Sequence, residues 1–168
     1  MKRTIVSKTG EIYVRNIIFG VEDGLVSTVG FLSGIASVTA LRGTIIITGI
    51  VLVFVEAISM GIGSLLSEHS TEEYKVRGEV PLSKSFLAAG VMFVSYLLAG
   101  SIPLAPYFFL PVNTAFWVSI AADLVTVVGL GWFSARGSKV PPVRKILEML
   151  LLTCLAITAG VMVAKLVG

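Results

Sequence analysis

Five apolar segments, each long enough to cross a bilayer, fill most of this 168-residue chain. A hydrocarbon core about 30 Å thick needs roughly 20 residues of helix. Runs of that length lie at about 17–40, 45–67, 86–109, 113–134 and 143–167. Inside lipid, every backbone N–H and C=O must be satisfied within the protein, so each run is predicted to be an α-helix. The expectation is an all-α integral membrane protein, a single domain over 1–168, with 68–85 as a short polar connection. Composition agrees: 55% of residues are hydrophobic and 14% charged, with a mean hydropathy of +0.95. A soluble domain of this size needs more polar surface.

Five spans put the termini on opposite sides, and the basic residues choose between them. Lys2, Arg3, Lys8, Arg15, Lys75, Arg77, Lys84, Arg136, Lys139, Arg144 and Lys145 collect on one side, leaving Arg42 and Lys165 on the other. The positive-inside rule makes the N-terminus cytosolic and the C-terminus external. A cleaved signal peptide is disfavoured because Glu22 and Asp23 interrupt its would-be apolar core. The first helix is therefore expected to be retained, after a basic lead-in broken at Gly10. The small size and lack of a targeting signal point to a prokaryotic inner membrane. Cys154 is the single cysteine, which excludes an intrachain disulfide, and is expected to be a buried, inert thiol.

The sharpest feature inside the spans is Phe19-Gly20-Val21-Glu22-Asp23-Gly24-Leu25. An Asp at a helix centre costs roughly 2.5–3.5 kcal/mol on insertion scales. Such acids face a bundle interior or a wet cavity and mark ion or proton paths. Gly20 and Gly24, then Gly30 and Gly34, are small-xxx-small pairs that admit a neighbouring helix. In the second span Glu56 and Met60 are four apart and share a face, with Gly61 and Gly63 beside them for close helix approach. A carboxylate with a thioether suits a transition metal such as Fe²⁺ or Mn²⁺ better than Mg²⁺ or Ca²⁺.

Other candidates are weaker. Glu68 with Glu72, and His69 with Glu73, share helical faces and have spacing compatible with a cytosolic metal site, or with an ordinary charged helix end. Asp123 is a lone acid in the fourth span, fitted either to relay protons or to bond a neighbouring Ser or Thr. Glu148 lies four residues after Arg144, a surface pair. Pro103 and Pro106 should kink or unwind the end of the third span. Tyr107, Phe108, Phe109 and Trp117 read as an aromatic belt. There is no nucleophile–base constellation, P-loop or CxxC, so an enzyme or an ATP-driven pump is not expected, and no resident cofactor is implied.

Three stretches together resemble the vacuolar iron transporter family. Phe19 to Leu25 is similar to its first-helix signature. Glu56-Ala57-Ile58-Ser59-Met60-Gly61-Ile62-Gly63 is similar to its second-helix signature, and Gly100-Ser101-Ile102-Pro103-Leu104-Ala105-Pro106-Tyr107-Phe108-Phe109 to the end of its third helix. The resemblance implies a homodimer of five-helix protomers that exports Fe²⁺ or Mn²⁺ from the cytosol in exchange for protons. It carries pathway roles onto Asp23 and Met60, with Glu56 in the matching motif. The family's cytosolic metal-binding insertion is reduced here to about 68–85. Glu22 and Asp123 depart from the family pattern and are candidates for proton uptake. The expected partners are the bilayer, a second copy, divalent ions and protons, with no nucleic acid. The alternatives are a non-transporting membrane scaffold or partner-binding subunit with the same helices, and a passive channel.

Overall fold

A computed structural model describes residues 2–39, 41–137 and 140–168. Among these it contains α1 (Lys2–Val38), α2 (Arg42–Val76), a 3₁₀ turn (Leu82–Lys84), α3 (Phe86–Leu104), α4 (Pro106–Phe109), α5 (Val112–Gly137) and α6 (Pro142–Val167). Five of them, α1, α2, α3, α5 and α6, are long and apolar enough to cross a membrane. The fold is an all-α, five-span bundle.

Several boundaries differ from expectation. Gly10 does not break the first helix; α1 runs through it, because Gly in a helix interior costs only about 1 kcal/mol against Ala. The polar stretch after 67 continues α2 as far as Val76. That helix stops at Arg77, which takes the left-handed conformation (φ 54°) before Gly78. Ser85 occupies the N-cap of α3, but its side chain makes no capping bond. Pro103 stays inside α3, and the break falls at Ala105, between α3 and the single turn of α4 opened by Pro106. Lys139 lies outside the described residues.

α1 is the central rod, packed on α2, α3, α5 and α6. Its glycines do what their spacing predicts, against two different helices. A Cβ on Gly24 would sit 2.7 Å from the Tyr96 carbonyl oxygen, and one on Gly20 3.0 Å from that of Met92, both on α3. A Cβ on Gly34 would sit 2.7 Å from the Gly160 carbonyl on α6, and one on Gly30 3.0 Å from that of Ala156. Backbones this close gain dispersion contacts, the main drive for helix association in lipid. In the second span, Gly61 faces Phe93 and Ala89, whereas Gly63 meets nothing within 4 Å among the described residues.

The buried stripe of α5, Ala115, Ser119, Asp123 and Val127, recurs every four residues, one face of a helix. Val127 joins Leu25, Ala99 and Met149 in a cluster that ties α5 to α1, α3 and α6. α2 buries Ile45, Gly49, Val53, Ala57, Gly61, Ser64 and Glu68 and turns Ile47, Val51, Phe54, Val55, Ile58, Ile62 and Leu66 outward.

Arg42, first residue of α2, hydrogen-bonds the carbonyls of Tyr107 and Phe108, its Nε lying 2.6 Å from the former. The need arises locally: Pro111 has no N–H to give the Tyr107 carbonyl four residues back. Tyr107 is buried, not part of an interfacial belt; Phe108, Phe109 and Trp117 are the exposed aromatics there. Tyr107 turns inward beside Ser119, whose hydroxyl donates to the Pro103 carbonyl at 2.6 Å. Arg136 stacks 3.6 Å over the Trp132 ring at the other end of α5. Cys154 is exposed on α6, contrary to the expected buried thiol, because α6 covers the bundle with one narrow face.

Candidate functional site

Asp23 and Glu56 lie on α1 and α2, which pack against each other. Asp23 and Glu56 are both half-buried and lie close enough to interact electrostatically. The Tyr96 hydroxyl of α3, fully buried, lies within the field of both. Ser27, one turn after Asp23, donates its hydroxyl proton to the Asp23 carbonyl at 2.7 Å and meets the Tyr96 hydroxyl at 2.5 Å. A serine has one proton to give, so Tyr96 is the donor to Ser27. The Thr28 hydroxyl sits near Tyr96 without a hydrogen bond of its own. The result is two carboxylates with a hydroxyl chain beside them, inside the membrane-spanning region.

The remaining candidates divide. Glu22 is half-buried, and the charge acting on Asp23 is Glu56. Glu56 lines a groove of about 360 Å³ with Phe31, Thr48, Leu52 and Val55. Met60, one turn on, lines another cavity of about 570 Å³ between α1, α2 and α3, with Asn16, Phe19, Ser59, Ser64 and Met92. Asp23 lines neither cavity, so one protomer does not enclose Asp23, Glu56 and Met60 in a single cage. Asp123 is fully buried and, among the described residues, neither carboxylate oxygen has a hydrogen-bond partner. The expected alternative, a bond to a neighbouring Ser or Thr, is absent.

The polar end of α2 does not gather into a cluster. Among the described residues, no three His, Cys, Asp or Glu side chains converge as a metal site. His69 Nε2 pairs with Glu73 at 3.2 Å, while Glu68 turns inward to Arg15. Glu72 is half-buried. Glu148 pairs with Arg144 at 3.0 Å, as its spacing predicts.

Sequence reasoning missed Tyr96, Ser27, Asn16, Arg15 and Met92. Asn16 is fully buried and its Nδ2 donates both to Ser64 Oγ (2.8 Å) and to the Ala88 carbonyl (2.9 Å), joining α1, α2 and α3. A buried amide at the edge of an apolar run was the available signal.

Five apolar helices, two of them carrying half-buried acids, define a polytopic membrane protein. The chain belongs to the VIT family: the family's model matches residues 14–80 and 69–165. It is 25% identical over 212 residues to "Vacuolar iron transporter 1" of Tulipa gesneriana, covering 90% of this chain and 86% of that one. It is 29% and 28% identical over 167 residues to "Vacuolar iron transporter homolog 4" and "homolog 3" of Arabidopsis thaliana, covering 93% of this chain and 84% of each. The 212-residue alignment exceeds this chain's 168, so the tulip protein carries residues missing here. The relatives are plant proteins named for the vacuole, which does not match the prokaryotic inner membrane expected from the short chain.

Proposed function

We propose that this chain is a secondary carrier that moves a divalent transition metal, Fe²⁺ or Mn²⁺, out of the cytosol in exchange for protons, as a homodimer. The observation that supports the reading is that α1 and α2, two packed spans, each carry a half-buried acid, Asp23 and Glu56. Like charges held together in a low dielectric need a cation or protons between them. A site that alternates between the two is the minimum an exchanger requires. The relatives' names supply the metal.

In this reading Asp23 and Glu56 give hard oxygen and Met60, one turn along α2, gives sulfur for discrimination against Mg²⁺ and Ca²⁺. Glu22 and Asp123 are the acids available to hold counter-transported protons. The groove along α1 and α2 is open in the single protomer, and a second copy laid on the exposed face of α2 would close it. The basic end of the bundle, with the N-terminus, faces the cytosol.

The test is uptake of Fe²⁺ and Mn²⁺ into proteoliposomes carrying an internal pH dye. Asp23→Ala and Met60→Ala should each abolish flux while the protein remains folded. Normal flux in both would defeat the assignment. Flux without proton movement would indicate a channel, and no flux under any gradient a scaffold.

A further inference from the structure

At the N-terminal end of the bundle, the Arg15 guanidinium lies where two oxygen acceptors converge. One is the Glu68 carboxylate, with which it forms an ion pair between α1 and α2. The other is Asn16 Oδ1, 3.5 Å from Arg15 Nη2. The amide orientation is fixed by its other contacts: the Ala88 carbonyl can only accept, so Nδ2 must face it and Oδ1 must face Arg15. Arg15 also lines the 570 Å³ cavity that holds Met60, Ser59 and Ser67.

The two partners are held unequally. The Glu68 side chain is 10% exposed and that of Arg15 61%. Glu68 is therefore fixed in the wall, and Arg15 reaches in from outside. A buried carboxylate that loses its cation must take up another cation or a proton. Whatever removes Arg15 must replace its charge or leave Glu68 protonated, and a divalent ion does the former.

We propose that Glu68 and Asn16 Oδ1 form an outer cation site beside the Met60 cavity, and that Arg15, which lines that cavity, is its resident occupant, displaced by an arriving divalent ion. A divalent ion brings twice the charge to the same oxygens, and its displacement of the guanidinium opens the cavity beside it. The arrangement prevents an empty, negatively charged site from admitting monovalent ions or protons between cycles. The proposal rests on the family reading for its cargo, but not on flux.

The test reads the cavity directly. Met92→Cys, in a Cys154→Ala background, places a thiol in the buried wall of the cavity of the full chain. Its modification by a charged methanethiosulfonate reagent is followed in lipid nanodiscs, where both faces are accessible. Arg15→Gln and Glu68→Gln should each raise the rate by about tenfold, the factor a charge-assisted hydrogen bond is worth. The charge-swapped pair, Arg15→Glu with Glu68→Arg, should return it to the parent rate, which separates latch loss from misfolding. Mn²⁺ should raise the parent's rate at concentrations where Na⁺ does not. Unchanged labelling in the single variants, failure of the swap to restore it, or indifference to Mn²⁺ would each overturn the proposal. Loss of the carrier reading alone would appear as normal labelling behaviour without metal flux.

Discussion

The hydroxyls of Ser27 and Tyr96 meet at 2.5 Å, and the serine passes its own proton to the Asp23 carbonyl. A fixed donor order therefore runs from α3 into α1 beside the paired acids. Tyr96→Phe removes the first donor and keeps the ring. Interhelical hydrogen bonds in membranes average about 0.6 kcal/mol, so the variant should melt within a few degrees of the parent in detergent. Divalent uptake should fall more than that small change explains. Parent-level uptake would remove Tyr96 from the site.

The glycines of α1 divide by what lies opposite. Gly34→Val drives a side chain into the Gly160 carbonyl, and a clash of this kind costs about 1–3 kcal/mol. Gly63→Ala meets open space and should be neutral or slightly stabilising, since Ala is the better helix former by about 1 kcal/mol. Thermal unfolding of both variants in one detergent checks the contrast.

Arg42 answers a backbone problem set by Pro111. Its planar fork reaches two neighbouring carbonyls, a geometry that the lysine ammonium cannot reproduce. Arg42→Lys should lose about 1–3 kcal/mol, the cost of a charge-assisted bond and of the carbonyl left behind. Faster proteolysis near 105–112, without loss of helix content, is the expected signature.

Among the described residues, Asp123 finds no hydrogen-bond partner for either oxygen in the middle of α5. If it holds a counter-transported proton, Asp123→Asn should leave Mn²⁺ binding near the parent value and reduce the proton movement that accompanies uptake. Asp123→Leu should fold at least as well as the parent, because an unsatisfied buried polar group costs about 1–3 kcal/mol. Unaltered proton coupling in both variants would assign Asp123 no part in transport.

The spans were legible because burial in lipid leaves little choice: apolar length alone makes a helix. The closeness of α1 to its neighbours was legible too, since Gly20, Gly24, Gly30 and Gly34 leave room that only a backbone can fill. Which neighbour each pair meets was not, because spacing carries no partner identity. The site was half readable. Asp23 and Glu56 stand out by their cost, but Tyr96 and Ser27 are unremarkable residues in apolar helices and acquire meaning from a contact 69 positions apart. Cys154 and Tyr107 misled because exposure depends on which face a helix turns to the bundle, and neither the apolar α6 nor the single turn of α4 announces that in its residues.

At about 1.5 Å per residue, the 35 residues of α2 make a rod about 52 Å long. Arg15 holds it near one end and Arg42 at the other. A rigid rod that tilts about its middle by about 10° carries its tips roughly 4–5 Å in opposite directions, by the same helix geometry. Two anchors on one rod restrain such a tilt from both ends.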